Sequence, residues 1–163
     1  MMNSNEMSLR KLFLKSCEKN DLEKVRECLN QGVDVNTVSE DRQVFQRSPG
    51  LAIAAENNYP ELLNLLLSQP GINVNLAWGW TPLMYACAAG HHEIVRRLLQ
   101  VPGINILHED SDGDTALHEA ALQGHSECLE ELAKVPGLDW NCRGGYCGST
   151  PHSTVRGTLL WPR

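Results

Sequence analysis

The chain is 163 residues long, with 42% apolar and only 6% aromatic residues, and 20 acidic against 14 basic side chains give a formal net charge of −6. That length suits about one domain or a short repeat array. The acidic balance excludes a basic nucleic-acid-binding domain as the default, because phosphate contacts need clustered Lys and Arg. The longest apolar stretches, Leu51 to Ala55 and Leu83 to Ala89, fall far short of the ~18–20 residues a membrane span requires.

Residues 1–8 have neither a basic n-region nor an apolar h-region, so they read as an N-terminal extension without a secretory signal. From there the chain repeats itself. Glu23, Glu61, Glu93 and Glu127 stand 38, 32 and 34 residues apart, and the sequence aligns around each. Three positions earlier come Asn20, Asn58, Gly90 and Gly124. Asn and Gly take positive φ most easily, so this column predicts a left-handed residue closing one helix before the next begins. After each glutamate, Val25/Leu63/Val95/Leu129, Cys28/Leu66/Leu98/Leu132 and Leu29/Leu67/Leu99/Ala133 form one apolar helical stripe. Gly32, Gly71, Gly103 and Gly137 end that second helix, and a short extended finger follows each.

The first helix of a unit is introduced by Thr81-Pro82-Leu83 in the third copy and by Thr115-Ala116-Leu117 in the fourth. Thr as N-cap and Pro at the first helical position satisfy orphan N–H groups and preset φ. In the second copy Pro49-Gly50 replaces this pair, which predicts a frayed helix start. The units fall at about residues 9–36, 48–75, 80–107 and 114–141, with an irregular loop at 37–47. After residue 141 the pattern restarts with Thr150-Pro151 but stops at Arg163, so 142–163 reads as a truncated fifth repeat or a flexible basic tail.

Trp80-Thr81-Pro82-Leu83 with Gly90-His91, and Gly113-Asp114-Thr115-Ala116-Leu117-His118 with Gly124-His125, resemble ankyrin repeats. The resemblance covers about residues 9–141. It implies an all-α repeat fold: a solenoid of stacked antiparallel helix pairs with short β-hairpin or finger loops. It also implies structural hydrogen bonds for His91 and His125, a tie from His118 to a neighbouring finger, and finger asparagines Asn36, Asn75 and Asn141 open to an asparaginyl hydroxylase.

Catalytic and metal motifs do not assemble. A zinc-hydrolase helix needs His at i and i+4, but Arg96 lies four after His92 and Leu122 four after His118. Asp110 to Asp114 superficially matches a calcium loop, yet Thr115 and Ala121 occupy the positions that need Gly and Glu. Cys142, Cys147 and His152 are the most metal-like group, but a fourth ligand is missing. No enzyme, cofactor or metal is therefore expected. Cys17, Cys28, Cys87 and Cys128 fall inside apolar helical segments, where Cys acts as a small hydrophobe. With no N-glycosylation acceptor, this points to a reduced, intracellular setting, the cytoplasm with the nucleus open.

What remains is surface. The finger tips and the inner face of the first helices are where the resemblance places partner contacts. The candidates are Trp78, Trp80, Tyr85, Asp112, Asp114 and Glu119. Aromatics are enriched among binding hot spots. From Leu98 to Ala133 there are eight carboxylates and no Lys or Arg, so a partner with a basic segment is favoured. The expected function is a non-catalytic protein-interaction scaffold, monomeric, without nucleic acid or membrane span. The alternatives are a targeting arm of a larger enzyme, receptor or channel, and a zinc module built on the C-terminal tail.

Overall fold

A computed structural model describes residues 4–38, 48–76 and 79–140. Among these, eight helices follow in chain order: α1 Ser4–Glu18, α2 Leu22–Asn30, α3 Gly50–Glu56, α4 Pro60–Leu67, α5 Pro82–Ala88, α6 His92–Leu99, α7 Ala116–Gln123 and α8 Ser126–Ala133. They stack in two layers. The first helices α1, α3, α5 and α7 pack in succession, and behind them α4 packs on α6 and α6 on α8. The first helix begins at Ser4, inside the segment that reads as an extension.

Local chemistry sets the helix ends. The Asp21 carboxylate accepts from the Lys24 amide at 3.2 Å, and the Thr81 hydroxyl accepts from the Met84 amide at 3.3 Å. Between the helices of each pair the predicted left-handed residues are all present, with φ of 53° at Asn20, 56° at Asn58, 77° at Gly90 and 74° at Gly124. Two of the three columns of the apolar stripe face fully inward, while in the third Leu29, Leu67 and Leu99 are half-buried and Ala133 is exposed. Val25, Leu63, Val95 and Leu129 are buried, as are Cys28, Leu66, Leu98 and Leu132, and they join one cluster running the length of the stack.

The second copy does not start on a loose turn. The Pro49 carbonyl accepts from Ala52 at 2.9 Å and from Ile53 at 3.1 Å, and Gly50 to Ala55 are buried. A Cβ on Gly50 would lie 3.1 Å from Cys17 Sγ and 3.4 Å from the Phe13 ring. The glycine thus lets α3 seat directly on α1, and that packing supports an end that no side chain caps.

Two side-chain series tie successive units. His91 Nε2 bonds the Glu56 carbonyl at 3.0 Å, and His125 Nε2 bonds the Ala88 carbonyl at 3.1 Å. A carbonyl only accepts, so both rings carry their proton on Nε2. These are the structural bonds the resemblance implies. The fingers are joined by asparagines, and they contain no strand among the described residues. Asn36 Nδ2 donates to the Gly71 carbonyl at 2.9 Å while its Oδ1 accepts from the Asn73 amide at 2.8 Å. Leu107 holds the corresponding place in the third finger and is 56% exposed, so this amide ladder cannot continue from the third finger to the fourth.

Candidate functional site

The third finger turns on Asp110. Its Oδ1 accepts from the amides of Asp112 and Asp114, each at 2.9 Å, and its own amide donates to the Asp114 carbonyl at 2.9 Å. Its other oxygen, Oδ2, accepts from the Trp80 indole Nε1 at 2.8 Å. One carboxylate therefore shapes the turn and fixes the tryptophan that opens the third unit. His108 Nε2 adds a bond to the Gly79 carbonyl at 3.0 Å. Of the acids that resemble a calcium loop, Asp110 gives its carboxylate to the backbone turn, and among the described residues no three His, Cys, Asp or Glu are placed to hold a metal.

Trp80 packs edge-to-face on Tyr85 of α5, with ring centroids 5.3 Å apart and planes at 61°. The Tyr85 hydroxyl accepts from Ser48 Oγ at 3.3 Å. Both rings are half-buried, so each keeps surface toward solvent. They wall a groove of about 510 Å³, with Ala88, Ala89 and Gly79 along it, Ser111 at the finger side and Glu56 at the α3 side. Glu56 is the sole charged residue among those described around it.

The sequence candidates thus divide. Trp80 and Tyr85 come together as one aromatic pair. Asp112 is exposed at the finger tip and Asp114 is half-buried. Burial raises the Asp114 carboxyl above its ordinary value, and the Asp110 and Asp112 charges add to this against an opposing effect of His118. Glu119 is only 5% exposed on α7. Burial first, then the charges of Asp114 and Asp110, push its carboxyl up to about 7. Trp78, Asn141, Cys142, Cys147 and His152 lie outside the described residues.

One further carboxylate of the acidic run is neutralised within the stack. Glu131 Oε1 accepts from Arg96 Nη2 at 2.7 Å and from Lys134 Nζ at 2.8 Å, while Arg96 Nη1 also reaches Glu93 at 2.9 Å. Hydrogen bonds from Arg96, then from Lys134, hold the Glu131 carboxyl down at about 2. The sequence offers no sign of this, since Arg96 lies outside the acidic run. Asp110 is the other functional residue that spacing alone does not single out. Its position between Trp80 and two amides exists only once the fingers stack.

His118 Nδ1 receives the Thr115 amide at 3.2 Å and sits 2.9 Å from its hydroxyl. It thereby caps α7 within its own unit. The four described cysteines are free and buried. Burial pushes the thiols of Cys17 and Cys128 up to about 12, well away from nucleophilic use at neutral pH.

Residues 51–143 match the family described as Ankyrin repeats (3 copies). The chain belongs to the ankyrin-repeat family. It is 46% identical over 70 residues to the human "SMC5-SMC6 complex localization factor protein 1", covering 41% of this chain and 6% of that protein. It is 37% identical over 70 residues to "Inversin-B" of Xenopus laevis, covering 42% of this chain and 7% of that protein. A third relative, "Putative ankyrin repeat protein YahD" of Escherichia coli (strain K12), is 28% identical over 148 residues, covering 70% of this chain and 73% of its own length. The matched part is thus a small fraction of the first two relatives. Ankyrin repeats are in general protein–protein interaction modules, and this ankyrin stack has the helix pairs, left-handed turns and projecting fingers of one. None of its described helices is long and apolar enough to cross a membrane.

Proposed function

We propose that this ankyrin stack is a non-catalytic scaffold that binds a protein or peptide segment in the groove between α5 and the third finger. The observation that carries the reading is the Trp80–Tyr85 pair. The indole is fixed by Asp110 at 2.8 Å before any partner arrives, and both rings remain half-open to solvent. Large aromatic surfaces that are already ordered contribute affinity at little entropic cost. Ala88 and Ala89 keep the neighbouring helix surface low, so an extended segment can approach the rings.

The proposed contacts are Trp80 and Tyr85, with Trp78 two residues earlier in sequence and Asp112 at the finger tip. Asp114 and Glu119 act from behind, through field more than by touch. The four buried thiols support a reducing, intracellular setting for this module. As a segment of a longer polypeptide it would serve as the targeting arm.

Affinity capture from a native extract tests the reading, with the full chain as bait beside Tyr85→Ala and Ala89→Arg. Ala89 is exposed, so an arginine there obstructs the groove without disturbing the core. Partners retained by the wild type should be lost from both variants, with the thermal stability of Ala89→Arg unchanged. Identical captured sets from all three baits would overturn the site.

A further inference from the structure

Resting on that reading of the groove, we propose that its occupant is an arginine side chain of the partner, with the guanidinium against the Tyr85 and Trp80 rings and paired to the Glu56 carboxylate. Several observations converge on a cation. Among the described residues of the groove Glu56 is the sole charged group, and none of them is Lys or Arg. Its backbone is anchored, because its carbonyl accepts from His91 Nε2 at 3.0 Å. The side chain therefore springs from a fixed backbone at the α3 side of the groove.

The indole contributes in a particular way. Its N–H is already given to Asp110 Oδ2, so toward a ligand Trp80 offers only ring surface. A carboxylate bonded to the N–H pushes electron density into the ring and strengthens its attraction for a cation. The ring planes of Trp80 and Tyr85 meet at 61°, so two aromatic surfaces face the groove in different orientations. Finally, α3 ends at Glu56 and α5 at Ala88, both beside the groove. Helix C-termini carry partial negative charge and favour cations, by a small amount in helices this short.

Arginine fits this environment better than lysine. The groove is open, and a lysine ammonium would keep its water. Guanidinium is planar and weakly hydrated, so it can stack on a ring while its edge pairs with a carboxylate. At about 510 Å³ the groove also has room for the backbone that carries the side chain.

The test uses the full chain labelled with ¹⁵N, following the Trp80 indole N–H resonance, assigned with a Trp80→Phe variant. The probes are acetyl-Gly-Arg-Gly-amide and the same peptide with citrulline or lysine in the centre. Citrulline keeps the shape of arginine and removes the charge. The arginine peptide should shift the resonance saturably, with the citrulline peptide about tenfold weaker and the lysine peptide between them. Glu56→Gln should weaken the arginine peptide by about fivefold to tenfold and leave the indole position of the free protein unchanged.

Equal responses to arginine and citrulline, a stronger response to lysine, or no response to any peptide would overturn the proposal. So would a shift that grows with protein concentration alone, which would make a second copy of this chain the occupant. Loss of captured partners in Tyr85→Ala without any arginine response would remove the arginine and leave the interaction reading standing.

Discussion

Asn75 and Asn105 are joined across two fingers: the Asn75 Oδ1 accepts from the Asn105 amide at 2.7 Å while its Nδ2 donates to the Gly103 carbonyl at 2.8 Å. Asn36 makes the same pair of bonds one unit earlier. Each asparagine thus does for its neighbour what a two-bond sheet pairing would do. Asn75→Ala should lower stability by about 1–2 kcal/mol, the net worth of two largely exposed hydrogen bonds. Leu107→Ala should be nearly neutral, because that side chain is mostly in water. Leu107→Asn should stabilise, by extending the ladder to the fourth finger. Urea unfolding of the three variants checks the order, and an Asn75→Ala variant as stable as the wild type would refute a structural role for the ladder.

Gly90 and Gly124 share a left-handed conformation but differ in surroundings. A Cβ on Gly90 would stand 2.8 Å from His125 ring atoms, whereas nothing lies within 4 Å of one on Gly124. Gly124→Ala should therefore cost only the conformational strain, about 1–2 kcal/mol. Gly90→Ala should cost about 3 kcal/mol or more, since it also displaces the His125 ring and its bond to the Ala88 carbonyl. Equal melting temperatures for the two variants would contradict the packing.

Two carboxylates give opposite pH responses. Glu131 is held at about 2, below its ordinary 4.5. Its contribution is complete above pH 4.5 and is lost as the pH falls from there toward 2. Glu119 is raised to about 7, so the folded state holds its proton more tightly. It costs nothing below pH 4.5 and destabilises increasingly as the pH rises from 4.5 through 7. Glu119→Gln should therefore gain on the order of 2 kcal/mol over the wild type at pH 8 and almost nothing at pH 4. Glu131→Gln should flatten the acid limb instead. Thermal unfolding between pH 3 and 8 separates them, and parallel curves for wild type and Glu119→Gln would sink the assignment.

The acids of the third finger should not be equivalent. Asp110→Ala removes the acceptor for two amides and for the Trp80 indole, which should cost about 2–3 kcal/mol and free the indole. Asp112→Ala removes an exposed carboxylate and should leave stability within about 0.5 kcal/mol. If the groove is the binding surface, Asp110→Ala also weakens the partner through a disordered Trp80. Near-ultraviolet circular dichroism reads the indole directly, and an unchanged spectrum in Asp110→Ala would show that the bond is dispensable.

Much of the fold is legible in the sequence because ankyrin order is local. Asn20, Asn58, Gly90 and Gly124 mark the left-handed turns, since few residue types tolerate that backbone. The periodic stripe through Val25, Leu63, Val95 and Leu129 marks the buried face, since a helix brings those positions together by itself. Aromatic residues near a finger also suffice to locate Trp80 and Tyr85. What escapes a linear reading is pairing between units. Arg96 meets Glu131 across 35 positions, and Trp80 meets Asp110 across 30. Nothing in either neighbourhood records the other. The acidic run accordingly overstates the charge open to a partner: Glu131 is neutralised by its neighbours, Asp110 holds a turn, and Glu119 is covered.

The histidine ring lying over Gly90 gives the units an order. The third unit leaves a bare backbone because the fourth supplies a ring to fill it, and Asn36 and Asn75 each find acceptor and donor on the finger that follows. Fitness in this stack therefore belongs to junctions more than to single units. A gene rebuilt with the same four segments in another sequence would keep every helix and lose the seams between them. Duplication can add copies of such a unit easily, but once its edges have adapted to particular neighbours, it can no longer be exchanged without repair.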